Sequence, residues 1–143
     1  SAKEEDVAHG IADAAEIFGV GIFGMVNTFH EKVYKERGIK FIAEFYSDLE
    51  YDETGYLVIA KGRNKYYPAD LAVERCMRAI KENKVKTVNN ADIDVGCETI
   101  CVHSDTPNAI EILQSLRKNI SQNDFPKEPK DITDKKMPYI VSD

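Results

Sequence analysis

The chain of 143 residues has no tryptophan, three cysteines and five prolines. Nowhere does it carry an apolar run of the length a membrane span needs, nor the apolar core of a signal peptide. Cys76, Cys97 and Cys101 are an odd number without a disulfide framework, and with no secretion signal they point to a reducing cytoplasm. Cys97-x3-Cys101 offers half of a metal site, but Cys76 falls inside a helical pattern and no His pair stands at zinc-finger spacing. The thiols therefore read as ordinary residues in or near a core, and no metal ligand is assigned. Clustered positive charge is lacking as well: 19 Lys and Arg are interleaved with 25 Asp and Glu, for a net charge of -6. That balance argues against a nucleic-acid surface and for a small-molecule or protein partner.

What is present suffices for one core. With 43% hydrophobic residues, a single domain over residues 1–120 is the expectation. Val7, Ile11, Ala14, Ala15 and Phe18 recur at helical steps between Glu4 and Phe18, and Gly19 ends the pattern. Gly21 to Met25 reads as a short buried strand, Thr28 to Arg37 as a helix stopped by Gly38, and Ile39 to Phe45 as a second strand. Asp52-Glu53-Thr54-Gly55 is a turn signal. A helix opens at Pro68 and runs through Leu71, Ala72, Cys76, Ala79 and Ile80 to about Asn83. Val85 to Val95 reads as a hairpin around Asn89-Asn90. The last helix is expected to be capped by Asp105 or Thr106, with Pro107 just inside it, burying Ile110, Leu113, Leu116 and Ile120. From Ser121 to Asp143 three prolines interrupt a Lys- and Asp-rich stretch that reads as an extended tail. Alternating strands and helices point to βαβ units and an α/β fold with mostly parallel strands and flanking helices.

Two clusters could carry chemistry. In Glu44-Phe45-Tyr46-Ser47-Asp48, strand alternation puts Glu44 and Tyr46 on one face with Asp48 just past the end. Carboxylates at such an edge can divide acid and base roles or hold a divalent ion, or they can simply cap a solvated loop. In Cys101-Val102-His103-Ser104-Asp105, a histidine beside a carboxylate is the ordinary means of moving a proton. The plainer alternative is that Asp105 caps a helix while His103 bonds a backbone carbonyl. Cys101 and His103 share a strand face, so a thiolate paired with histidine can also be drawn, although near neighbours on one strand rarely reach triad geometry. His9 and His30 fall on surface helices and read as solvated; Tyr66-Tyr67 reads as packing.

These residues match a known pattern. Glu44 to Tyr51 resembles the E-x-F-A-D-R-x-Y segment of the LamB/YcsF family, which supplies one component of prokaryotic-type 5-oxoprolinase, and Asp52 to Val58 resembles its D-E-x-G-x-L-V continuation. Glu98 to Ala109 resembles its D-T-x-C-V-H-G-D-x-P-x-A motif, and order and spacing agree from about Glu4 to Ile120. The resemblance implies part of a (β/α) barrel-like fold of the glycoside hydrolase/deacetylase type. It implies ATP-dependent opening of the 5-oxoproline lactam to glutamate, with ATP activating the amide oxygen and partner oxoprolinase subunits of the B and C type. Carried over by position, Glu44, Asp48, His103 and Asp105 are the candidates for catalysis, and Cys101 and Ser104 for substrate binding.

The departures also count. Family members are longer, with an N-terminal half whose Asp, Asn, His and Lys motifs do not occur here, so the chain resembles a C-terminal half. Leu49 stands where the family has Arg, and Ser104 where it has Gly, which removes a cation and a close backbone approach. A non-catalytic binding relative is therefore the competing reading. Half of a barrel leaves an open sheet edge, and the expectation is that the chain dimerises through it or belongs with an upstream segment. Light scattering that shows a stable monomer of the isolated chain would contradict this.

Overall fold

A computed structural model describes residues 2–59 and 65–123. They divide into two compact units, one ending at Ala43 and the other beginning at Glu44.

The first unit opens with helix α1 (Glu5–Phe18), which ends where Gly19 turns left-handed at φ 61°. Strand β1 (Ile22–Gly24) and helix α2 (Phe29–Glu36) follow. Thr28 caps α2: its hydroxyl accepts from the His30 amide at 3.2 Å and donates to the Met25 carbonyl at 2.7 Å. Strand β2 (Phe41–Tyr46) begins here, and Ile22, Phe23 and Gly24 pair in parallel with its Phe41, Ile42 and Ala43. The core consists of Ala8, Ala12, Val33 and Tyr34, with Ile22, Phe29, Ile39 and Phe41 packed against it.

Helix α1 does not bury the stripe its periodicity suggests. Ala8, Ala12 and Ala15 face inward, whereas Val7, Ile11 and Phe18 are 43%, 38% and 60% exposed. Small side chains let α1 and α2 approach closely, and that contact outweighs the burial of larger residues on the other face. His30 also departs from the solvated reading. It is half-buried, stacks on Tyr34 at 5.6 Å and takes the Met25 amide on Nδ1 at 3.5 Å.

The second unit continues β2, whose Glu44, Phe45 and Tyr46 pair in parallel with Thr99, Ile100 and Cys101 of strand β7 (Thr99–Cys101). Strands β3 (Glu50–Tyr51) and β4 (Leu57–Val58) form an antiparallel hairpin over the expected turn, where Asp52 Oδ1 accepts the Thr54 and Tyr56 amides. Helix α3 (Ala69–Glu82) follows Pro68 and stops at Asn83, left-handed at φ 54°. The hairpin of β5 (Lys84–Lys86) and β6 (Asp92–Asp94) turns through Asn90 at φ 63°. Helix α4 (Ala109–Gln122) packs against α3.

The start of α4 differs from expectation. Asn108 occupies the cap position and Pro107 lies outside the helix, because residues 103–106 form a turn of their own in which the Thr106 amide donates to the His103 carbonyl at 3.2 Å. The helix buries Ile112 and Leu116, leaving Ile110 72% and Leu113 52% exposed. It also passes Ile120, so the expected tail begins later; its remainder lies outside the described residues.

The described residues thus form an α/β fold of parallel strand pairs, β1 with the start of β2 in the first unit and the end of β2 with β7 in the second, with helices in each. The tightest backbone approach is at Gly24, where an added Cβ would lie 2.9 Å from both His30 Cβ and a Phe41 ring carbon. Gly24→Ala is expected to cost about 1–3 kcal/mol through forced displacement of α2 or Phe41, measurable as a lowered chemical-denaturation midpoint at unchanged m.

Candidate functional site

Parallel pairing brings Tyr46, the last residue of β2, beside Cys101, the last of β7. Just beyond, the Ser47 amide and hydroxyl both donate to the Cys101 carbonyl, at 3.1 and 2.8 Å. This clamp fixes how the chain leaves the two strands, and it carries Asp48 to the segment that follows β7. Chemistry collects at such carboxyl ends because side chains there project past the last paired residues.

The Asp48 side chain has no solvent exposure. Its Oδ1 receives His103 Nδ1 at 2.7 Å; its Oδ2 receives the His103 amide at 3.1 Å and the Thr106 hydroxyl. Burial alone would push this carboxyl up, but the hydrogen bonds from Thr106 and from the His103 ring and backbone outweigh it and hold it below the ordinary range. Asp48 is therefore ionised at neutral pH and can only accept, which places a proton on Nδ1 and leaves Nε2 as the ring nitrogen that faces away from it. Nε2 lies 3.9 Å from Cys101 Sγ. The Tyr46 ring stacks on the imidazole at 5.9 Å, and burial together with a hydrogen bond to Glu44 pushes the Tyr46 phenol well up.

The structure thus gathers four of the six sequence candidates: Glu44 through Tyr46, then His103, Asp48 and Cys101. The other two stand apart. Ser104 and Asp105 are exposed, and the Asp105 carboxylate makes no hydrogen bond or ion pair among the described residues. The cap role foreseen for Asp105 or Thr106 is not taken by either: Thr106 turns its hydroxyl to Asp48 instead. The carboxylate partner of His103 is thus remote in sequence, not two residues away. Alternation on β2 was the signal that pointed to Asp48; nothing local distinguishes Thr106 from a helix cap.

A second residue was missed. Arg75 lies within the apolar stripe of α3 and is 7% exposed. It donates to the Leu49 carbonyl at 2.6 Å and to the Tyr67 hydroxyl, pairs with Glu50 at 2.8 Å, and lies between the rings of Tyr51 and Tyr67. Its Nε is buried without a hydrogen-bond partner. A charged residue at the position of an inward-facing helical apolar residue was the available clue. Of the remaining thiols, burial pushes Cys97 up to about 12, and it pushes Cys76 higher still.

Comparison with known proteins decides the family. The sequence profile of the LamB/YcsF family matches residues 1–134. This chain belongs to the LamB/YcsF family. It is 34% identical over 128 residues to the A subunit of 5-oxoprolinase from Fusobacterium nucleatum, covering 84% of this chain and 48% of that protein. It is 30% identical over 125 residues to the Campylobacter jejuni subsp. doylei protein of the same name, covering 85% and 49%. The fold matches the crystal structure of a lactam utilization protein from Thermus thermophilus with a TM-score of 0.72 at 23% identity, over 85% of this chain and 49% of that one. The chain spans about half the length of the relatives it matches.

Because the folded Asp48 carboxyl titrates below its ordinary value of 3.8, protonation favours the unfolded chain. Its contribution to stability is whole above that value and is lost as pH falls through the lower folded one. Thermal unfolding followed between pH 7 and pH 2 should show an acid-side loss that is smaller in Asp48→Asn, which starts from lower stability at pH 7. Thr106→Val should cost about 1–3 kcal/mol at neutral pH, since it removes a donor from a buried carboxylate.

Proposed function

We propose that this chain forms one wall of a 5-oxoproline-opening hydrolase, in which His103, held by Asp48, moves the protons of lactam cleavage. The observation that carries the reading is the buried Asp48–His103 pair at the carboxyl ends of neighbouring parallel strands, with Nε2 turned away from Asp48 and 3.9 Å from Cys101 Sγ. The relatives named as 5-oxoprolinase components support the substrate. In the reaction Nε2 takes a proton from the attacking group and returns it to the ring nitrogen, so that the amine leaves neutral. Asp48 is a positioning residue: it fixes the tautomer and stabilises the imidazolium that forms. Tyr46 and Glu44 extend the polar line from the other side of the ring.

ATP enters this proposal as a co-substrate of a whole assembly with partner subunits of the B and C type. The residues around His103 do not fit a triphosphate. Asp48 and Glu44 are carboxylates, and Arg75, a buried cation among the described residues of this unit, is already paired with Glu50 and the Leu49 carbonyl. No step is therefore routed through ATP on this chain. The α/β unit is proposed to be part of a barrel-like fold of the glycoside hydrolase/deacetylase type. Three cysteines outside any disulfide support a cytoplasmic setting. The second reading, a binding relative without turnover, is favoured by Leu49 at the position of the family's Arg.

The test is 5-oxoproline-dependent ATP hydrolysis and glutamate release by the protein mixed with candidate partner subunits. His103→Ala should lower kcat about 100- to 10,000-fold. Asp105→Asn should stay close to the unaltered protein, since that carboxylate stands outside the cluster. Absence of turnover from the complete assembly would favour the binding relative.

A further inference from the structure

The proton transfer just described leaves the most nucleophilic atom of the cluster without a task. Cys101 is half-buried at the end of β7, with Sγ 3.9 Å from His103 Nε2. The other imidazole nitrogen is hydrogen-bonded to Asp48 at 2.7 Å. Thiol, imidazole and carboxylate stand in the order that activates a cysteine: the carboxylate orients the base, and the base faces the thiol. Strand geometry alone disfavours such a pairing between residues two apart. Here β7 ends at Cys101, and Asp48 grips both the ring and the backbone amide of His103, turning the imidazole back toward Cys101.

The other two cysteines set a contrast within the same chain. Cys97 is half-buried like Cys101, and Cys76 is fully buried. Burial raises the titration of both, and neither has an imidazole partner among the described residues.

We propose that Cys101 is a nucleophile which, activated by His103, attacks the substrate's amide carbonyl and forms a transient thioester. The assignment of an amide substrate rests on the function proposed above; the activation of the thiol does not. In the first step the thiol proton passes to Nε2, the Sγ–C bond forms and the C–N bond breaks, and the imidazolium proton goes to the departing ring nitrogen. In the second step Nε2 takes a proton from water, the hydroxyl oxygen bonds to the carbonyl carbon, the C–S bond breaks and the sulfur regains the proton. One water is consumed and nothing is oxidised or reduced; the ATP that the proposed function requires is hydrolysed elsewhere in the assembly, outside these two steps.

The test has two arms. In the first, the full chain is labelled with iodoacetamide at pH 7 and each cysteine peptide is followed by mass spectrometry. Cys101 should react about 10-fold or more faster than Cys97, which shares its partial burial, as a thiol with a base partner does. His103→Gln, checked for folding by circular dichroism, should remove that advantage. Equal rates at Cys101 and Cys97 in the unaltered protein overturn the proposal whether or not the variant folds. In the second arm, the complete assembly turning over 5-oxoproline is quenched in acid. A hydroxylamine-sensitive adduct on Cys101, with loss of turnover in Cys101→Ala, supports the thioester; full turnover by Cys101→Ala overturns it. If Cys101 is selectively reactive in a His103-dependent way while 5-oxoproline is not consumed, the substrate assignment fails and the activated thiol stands.

Discussion

One carboxylate organises the second unit. Asp48 is withdrawn from solvent, a position that is unfavourable for a charge unless donors surround it. Three do: the ring and the amide of His103, and the hydroxyl of Thr106. Each comes from the segment after β7, whereas Asp48 comes from the segment after β2. The same bonds that compensate burial therefore join two chain segments more than fifty residues apart. They also determine the chemistry, because an ionised partner on Nδ1 leaves Nε2 as the only basic nitrogen of the ring.

Much of this frame was legible in the sequence, since its signals are local. Glycine and asparagine mark the left-handed stops at Gly19, Gly38, Asn83 and Asn90. The turn at Asp52–Gly55 announces itself through an Asp side chain that bonds its own backbone, and the hairpin at Asn89-Asn90 through an asparagine that accepts a left-handed backbone. Strand alternation placed Glu44 and Tyr46 together. What was illegible depended on tertiary choice. Helix α1 has two faces that each repeat at helical spacing, one of alanines and one of larger apolar residues, and periodicity cannot say which face meets α2. In α4, likewise, Ile112 and Leu116 go inside and Ile110 and Leu113 do not.

The place of Asp105 outside the cluster has the same root. Two acceptors, one adjacent and one distant, compete for the donors around His103, and sequence favours the adjacent one. The fold selects Asp48 because the clamp from Ser47 to the Cys101 carbonyl brings it there. Arg75 shows a related preference for tertiary partners. In a helix that would bury an apolar residue at that place, it instead uses the rings of Tyr51 and Tyr67 and the carboxylate of Glu50 to remain charged. The cost is a buried Nε without an acceptor.

The pairing of Tyr46 with Cys101 has a consequence for how this segment tolerates change in length. Side chains on a strand alternate with a period of two, so core and chemistry are written on opposite parities of the same few residues. Loss or gain of a single residue between Thr99 and Cys101 would turn the thiol to the far face while offering Ile100 to the cluster. A change of two would restore the parity. Gene variants of this family should therefore accept insertions in the β3–β4 turn far more readily than single-residue length changes in β7.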